Sequence, residues 1–334
     1  MGGERADTVT APLLSVRGLR VSLATASGLV TVVDGIDYDV VPGQVFGIAG
    51  ESGSGKTISV LTLLDLLPEG AVVDGTAAFE GEDLLRLGRR AMRDVRGLEI
   101  GMVFQDPMTS LHPMMTIGLQ LTEHIRFHLE ASGPAARARA IELLHEVRIP
   151  DAAGAMNAYP HQFSGGMRQR IAIAIALACG PRILIADEPT TALDVTVQAG
   201  ILRLLDRLRR QSRLSVILIT HDLGVMSSIA DQLMVMYAGR VVESGPTESV
   251  LAAPRHPYTA GLLAALPHPE AREDTPLVSI RGTPPSAQSR PSGCPFHPRC
   301  AHAVPSCATD VPDLVAVEGG RRLACPVDPF GVRA

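Results

Sequence analysis

The chain has 334 residues, 46 % of them apolar, with 35 acidic against 30 basic side chains and a formal net charge of −5. That length allows one large domain or two moderate ones around a substantial core, and the acidic balance gives no reason to expect nucleic acid as a partner. The polar start MGGERADTVTAP lacks the apolar segment of a secretory signal, and no stretch reaches the roughly 18 apolar residues that span a bilayer, so a soluble, cytoplasmic protein is expected.

Residues 1–12 read as a frayed leader. From Leu13 to Ile48, alternating stretches such as LLSVRGLRVSL and IDYDV, broken by SG, DG and PGQ, predict short, mainly antiparallel strands. QVFGIAG is an apolar strand that runs straight into a glycine-rich turn. KTISVLTLLDLLPEG then has helical spacing and stops at Pro68 and Gly70. Between Pro107 and Pro160 the pattern is mostly helical, with AARARAIELLHEVRI an amphipathic example. IAIAIALA alternates with period two, as a strand would. Its alanines and the length available from Gly165 assign it instead to a buried helix, an assignment that rests partly on the family resemblance below. RILIADE and SVILIT are continuous apolar runs bounded by turns, the pattern of parallel strands buried on both faces. After Gly245 proline becomes frequent and periodicity fades, so residues 246–334 are expected to form a separate C-terminal region.

GESGSGKT (Gly50, Glu51, Ser52, Gly53, Ser54, Gly55, Lys56, Thr57) fits G-x-x-x-x-G-K-[ST] between a strand and a helix, the context a phosphate loop requires. Glycines let the backbone wrap phosphates and aim N–H groups inward, and the following helix adds its positive N-terminal end. Lys56 can reach the β- and γ-phosphates, and the Thr57 hydroxyl can ligate Mg²⁺. Far downstream, ILIADE places Asp187 and Glu188 at the end of an apolar strand, where open α/β sheets bind ligands. An isolated strand ending in Asp-Glu is often only a strand meeting solvent. Beside a phosphate loop, Asp187 is suited to the Mg²⁺ shell and Glu188 to polarising a water for attack on the γ-phosphorus.

Further short motifs lie around these. QFSGGMRQR (Gln162–Arg170) precedes the second strand, Gln105 sits in MVFQDP, TALD covers Thr191 to Asp194, and His221 sits in LITHD. Each is a weak signal alone. Together, in this order over residues 13–245, they resemble the signature, Q-loop, D-loop and switch histidine of the ATP-binding-cassette (ABC) ATPases. The resemblance implies an α/β P-loop NTPase cassette: a RecA-like core with an antiparallel β subdomain and a helical subdomain at about 106–165. It also implies that two cassettes pair head to tail, with ATP between one phosphate loop and the other subunit's signature. Ser164, Gly165 and Gly166 would then contact a γ-phosphate bound by the partner, and Asp194 would communicate across the pair. Gln105 would sense Mg²⁺ and the attacking water and link the site to a membrane partner, while His221 would hold the γ-phosphate. One departure stands out. The family usually stacks adenine on an aromatic residue upstream of the phosphate loop, and VSLATASGLVTVV has none. Leu23 or Val30 is left as an apolar contact.

FSGGM in the signature, DPMTSLHP after the Q-loop and PRHPYTAGLLAALP (Pro254–Pro267) together resemble the dipeptide/oligopeptide importer ATPases, specifically the methionine-signature type that pairs with a nonidentical paralogue. His112 stands where that family usually has Asn. The resemblance implies partners outside this chain: two membrane permeases, the paralogous ATPase and an extracytoplasmic peptide-binding protein. The protein would sit peripherally on the cytoplasmic face of the membrane. The region 106–160, with Met108, Leu111, Met114 and Met115, would receive the permeases. Import of nickel or another small solute is the nearest alternative cargo, and a non-transport ABC ATPase the alternative of a different class.

Four of the five cysteines, Cys294, Cys300, Cys307 and Cys325, lie in the C-terminal region with the spacing C-x5-C-x6-C-x17-C. A cytoplasmic setting argues against disulfides. Zinc would suit four thiolates, with His297 or His302 able to substitute, but structural zinc sites favour tight C-x2–4-C pairs. Thiolates at wider spacing also suit a [4Fe–4S] cluster, and GCPFHPRC resembles the importer ATPase tail in a way that implies that cluster. A metal would explain how a short proline-rich segment stays folded. Cys179, after the apolar helix, reads as a buried core thiol.

Overall fold

The structure, a computed structural model, describes residues 11–106, 110–191, 193–266 and 279–330. Most of the expected leader lies outside the described residues, as do Met108, Ala192 and Pro267.

Strands β1 (Leu14–Thr25) and β2 (Gly28–Val40) form an antiparallel hairpin. The chain then enters β3 (Val45–Ala49) of a second sheet and returns as β4 (Val72–Phe79) and β5 (Glu82–Asp83). The first sheet is thus antiparallel, in the order β2-β1-β4-β5. At 12 and 13 residues its first two strands are not short, contrary to expectation. Register shifts after Val16, Leu19 and Val21 bend the hairpin, so the pairing continues through breaks in the alternating pattern.

The second sheet is the core of the molecule. β6 (Ile100–Val103), β7 (Ile183–Asp187), β8 (Ser215–Thr220) and β9 (Gln232–Tyr237) join β3 in the parallel order β9-β3-β8-β7-β6. Every residue of β3, β7 and β8 is buried, as their unbroken apolar runs require. β10 (Arg240–Pro246) extends the sheet antiparallel to β9, and the C-terminal hairpin β11 (Val315–Val317) and β12 (Arg321–Leu323) extends it again. The C-terminal region is therefore stitched to the core sheet by the pairs Glu243↔Leu323 and Ser244↔Arg322. Glu243, fully buried, anchors the join: it is ion-paired to Arg321 and accepts the backbone N–H groups of Arg255 and His256.

Helix α1 (Lys56–Leu61) tightens into a 3₁₀ turn at Thr62–Leu64 and stops at Asp65 (φ 50°), short of the expected Pro68–Gly70 end. Arg96 makes the early stop possible by bonding the free carbonyls of Leu64 and Asp65. After α2 (Arg89–Val95), helices α3 (Ile117–Leu129), α4 (Gly133–Glu146), α5 (Ala152–Ala155) and α6 (Gly165–Ala176) fill the segment between β6 and β7. The alternating IAIAIA run lies in α6, where Ile171, Ala172, Ile173 and Ala174 are all buried. α7 (Val195–Ser212), α8 (Leu223–Ile229), α9 (Thr247–Ala252) and α10 (Pro257–Ala264) complete the set used below. No helix among the described residues is long and apolar enough to cross a membrane.

Candidate active site

β3 ends at Ala49, and the chain turns through Gly50 (φ 149°), Gly53 (φ 78°) and Gly55 (φ 97°) before α1 starts at Lys56. A Cβ on Gly50 would stand 2.2 Å from the Met236 carbonyl oxygen, and one on Gly55 2.8 Å from that of Val32. Only glycine lets the loop pass so close to two strands in this backbone conformation. Inside the loop the Lys56 ammonium donates to the carbonyls of Gly50 (2.7 Å) and Glu51 (2.9 Å). The Ser54 hydroxyl is buried without a hydrogen-bond partner, a donor that an anionic oxygen would satisfy.

The strand order places the downstream carboxylates beside this loop. Asp187, the last residue of β7, accepts from the Thr57 hydroxyl at 3.2 Å. Glu188 follows with φ 45°, and its carboxylate receives the Gln105 amide (3.0 Å) and the Thr191 hydroxyl (2.9 Å) while facing His221 Nδ1 at 3.1 Å. Three strand ends, those of β6, β7 and β8, thus deliver Gln105, Asp187, Glu188 and His221 to one point.

Burial governs the charges here. It pulls the Lys56 ammonium below its ordinary pKa, against the raising influence of Glu188, Asp187 and Glu51. It pushes the Asp187 carboxyl up, partly offset by the bond from Thr57. Burial also works against ionisation of Glu188, but the hydrogen bonds from His221 and Thr191 outweigh it and hold that carboxyl below its ordinary value. The cluster thus couples an ionised acceptor to a desolvated acid–ammonium pair. The Thr57 hydroxyl and Asp187 carboxylate are hard oxygen donors at contact distance, a set that fits Mg²⁺.

The signature and D-loop residues stand apart from this cluster. Ser164 caps α6 by accepting from the Met167 N–H, and Asp194 caps α7 by accepting from that of Val197. A Cβ on Gly166 would meet Val197 Cγ1 at 2.5 Å, so the signature packs on the start of α7. Among the described residues no hydrogen bond links Ser164, Gly165, Gly166 or Asp194 to the phosphate loop. Leu23 and Val30 pair across the β1–β2 hairpin, both half-buried.

The four C-terminal cysteines meet. Cys294, Cys300, Cys307 and Cys325 line one small cavity with His256, His297 and His302, and the Cys294 N–H donates to the Cys307 carbonyl at 2.9 Å. All are free thiols, and burial raises those of Cys294, Cys300 and Cys325. Among the described residues, however, no group of three or more His, Cys, Asp or Glu side chains is arranged to hold a metal ion. The expected metal site is therefore present only as a converging set of thiols. Cys179 is half-buried rather than a core thiol, its Sγ donating to the His124 carbonyl at 3.7 Å.

Two residues in contact with the phosphate loop escaped the motif reading: Tyr258 and Arg299 both bind Glu51. Tyr258 belongs to a stretch that marked lineage only, and nothing around Arg299 signals a loop contact.

Residues 33–191 match the ABC transporter family, and residues 242–307 match the C-terminal region of oligopeptide/dipeptide transporters. The chain is 47 % identical over 313 residues to the oligopeptide transport ATP-binding protein OppD of Salmonella typhimurium, covering 94 % of this chain and 93 % of the relative. It is 46 % identical over 322 residues to the dipeptide transport ATP-binding protein DppD of Escherichia coli, covering 96 % and 98 %. Among solved structures it superposes on the dimeric structure of a bacterial ABC transporter cassette with a TM-score of 0.63 and 26 % identity, over 70 % of this chain and 98 % of that one.

Proposed function

The chain belongs to the ABC transporter family, in its oligopeptide/dipeptide branch, and from that premise we propose that it hydrolyses ATP to drive peptide import through partner permeases. The observation that carries the reading is the convergence of Lys56, Thr57, Asp187, Glu188, Gln105 and His221 on one point.

The roles follow from the chemistry. Lys56 exchanges its two loop carbonyls for phosphate oxygens, and Ser54 gains the acceptor it lacks. Thr57 and Asp187 would hold Mg²⁺, which would supply charge neutralisation to the phosphates. Glu188, kept ionised, accepts a proton from water as its oxygen attacks the γ-phosphorus and the bond to the ADP oxygen breaks. Gln105 and His221 orient that carboxylate before ATP arrives and turn to the water and the γ-phosphate afterwards. Ser164 and Asp194, both exposed, and the half-buried Gly165 and Gly166 serve the second site of a pair with a paralogous ATPase. A dimeric cassette bound to ADP and Pi, 26 % identical to this chain, supports such a pairing.

The permeases dock on the cassette from the cytoplasmic face of the membrane, in a groove lined by Phe104, Leu111, His124, His128, Ile175 and Cys179. Phe104 on its rim and Phe127 in the adjoining cavity are exposed, which supports an apolar partner. A peptide-binding protein delivers cargo on the far side. Cys294, Cys300, Cys307 and Cys325, which line one cavity, would supply the four thiolates of a [4Fe–4S] cluster once drawn closer together than they stand here.

The test of function is co-expression with the neighbouring permeases and paralogue, followed by peptide-stimulated ATPase in proteoliposomes. Stimulation by peptides and not by nickel is expected; the reverse would move the cargo to metal ions. Iron, acid-labile sulfide and zinc are measured on anaerobically purified protein, with about four irons and four sulfides per chain expected. One zinc without sulfide would replace the cluster by a structural ion.

A further inference from the structure

Glu51, the second residue of the phosphate loop, is tied to the C-terminal region twice. Its backbone N–H donates to the Tyr258 hydroxyl at 2.7 Å. Its carboxylate receives both arms of the Arg299 guanidinium, at 2.7 and 3.1 Å. The carbonyl end of the same residue holds Lys56 Nζ at 2.9 Å. Glu51 is thus gripped at its N–H, its side chain and its carbonyl, and two of the three grips come from outside the cassette's motifs.

Arg299 is placed for this by the cysteine cavity. It ends the 3₁₀ turn His297–Arg299 that lies between Cys294 and Cys300. The side chain is only 5 % exposed, donates to the Tyr237 hydroxyl at 3.2 Å and the Arg281 carbonyl at 2.9 Å, and lies over the rings of Tyr237 and Phe296. Tyr237, Tyr258 and Phe296 pack with ring centroids 4.6 to 5.4 Å apart. Phe296 and Cys294 line the same cavity. From the thiols to the phosphate loop the path is therefore continuous packing. A surface ion pair would count for little, but a bidentate one whose guanidinium is buried and whose carboxylate is half-buried fixes geometry as well as charge.

The charge matters most. A carboxylate at this position stands beside the place where a polyanion binds. Unpaired, it repels the triphosphate; paired with Arg299 it is neutralised without losing its hold on the loop. Tyr258 fixes the orientation of the Gly50–Glu51 peptide, and so the Gly50 carbonyl that anchors Lys56 at 2.7 Å when phosphate is away.

We propose that Arg299 and Tyr258 are positioning residues for ATP, through which the cysteine-bearing C-terminal region sets the nucleotide affinity of the phosphate loop. The proposal rests on the ATP-binding reading above and extends it to a segment that the ATPase motifs do not include.

The test is the equilibrium Kd for Mg-ATP of the full chain, measured calorimetrically for the unvaried protein and for Arg299→Ala, Arg299→Lys, Tyr258→Phe, Glu51→Gln and the double variant Arg299→Ala/Glu51→Gln. Arg299→Ala is expected to raise Kd about tenfold. Adding Glu51→Gln should recover most of that loss, because it removes the carboxylate left unpaired. A merely structural defect would not be rescued by a second substitution. Arg299→Lys, which keeps the charge and loses the fork, should fall between. Tyr258→Phe, which removes one hydroxyl, should raise Kd about threefold. Wild-type affinity in both Arg299→Lys and Tyr258→Phe would overturn the proposal, as would an Arg299→Ala defect that Glu51→Gln leaves untouched. An unvaried chain that binds no ATP would overturn the nucleotide reading itself, and this proposal with it.

Discussion

The Thr57 hydroxyl donates to Asp187 Oδ1 at 3.2 Å, although the two residues stand 130 positions apart in the chain. One lies in the first turn of the helix after β3 and the other closes β7, and β8 runs between those strands. The bond therefore spans the crevice at the carboxyl ends of the sheet, where open α/β folds bind ligands. It joins the two residues proposed to hold Mg²⁺.

Burial makes that position costly when Asp187 is ionised, since the carboxyl sits only 3 % exposed with its pKa raised chiefly by desolvation. Asp187→Asn keeps an acceptor for Thr57 and removes the charge. A rise in Tm of roughly 2–5 °C is expected together with loss of Mg²⁺-dependent ATPase. Calorimetric melting and a phosphate-release assay check both halves, and a fall in Tm would show that the charge stabilises the fold.

Glu188→Gln separates binding from turnover. The amide keeps the size of the side chain and most of its contacts with Gln105 and Thr191, but it cannot take a proton from water. Turnover should fall by about 10²- to 10⁴-fold, while the Kd for ATP stays within about twofold. Retained hydrolysis would remove Glu188 from the role of base.

Gly50→Ala tests the loop's backbone. The new methyl would meet the Met236 carbonyl at 2.2 Å, and φ of 149° is strained for any residue with a Cβ. Destabilisation of about 2–4 kcal/mol is expected by urea titration, with loss of ATP binding in the fraction that remains folded. Unchanged stability would mean that the loop relaxes away from β9.

His256 supplies a pH dependence. It is fully buried, its Nδ1 accepts the Tyr258 N–H at 3.1 Å, and burial pushes its pKa down to about 3. The unfolded chain titrates near 6.5. Between those values the unfolded state binds a proton that the folded state refuses, so stability is complete above pH 6.5 and is lost as pH falls. The loss is about 1.4 kcal/mol per unit below that point. His256→Asn keeps a cap acceptor for α10 without titrating, and its stability between pH 7.5 and 5.5 should be correspondingly flatter. Equal slopes in the two proteins would remove His256 as the source.

Much of the site was legible because its motifs are local demands. A turn that needs positive φ at Gly50, Gly53 and Gly55 has to be written as glycine, and strands buried on both faces have to be written as ILIAD and SVILIT. Strand ends then place Asp187, Glu188 and His221 without further information. The length of the β1–β2 hairpin was not legible, because bulges interrupt the period that would have reported it. Nor was the early end of α1, which depends on Arg96 reaching carbonyls 31 and 32 positions earlier.

Residue types and their short-range order by themselves determined the phosphate loop and the paired carboxylates at the end of β7, and they carried the motifs by which the cassette and its importer branch are recognised. Only the tertiary structure decided that β12 would join the core sheet beside β10, that four cysteines with wide spacing would face one cavity, and that Arg299 would close on Glu51 across 248 positions. The reason is physical. Backbone conformation and burial act on each residue through its near neighbours and so leave a periodic or punctuated trace. A buried ion pair between distant segments imposes only that each partner be charged, and any of many arginines and glutamates would satisfy that until packing chooses two.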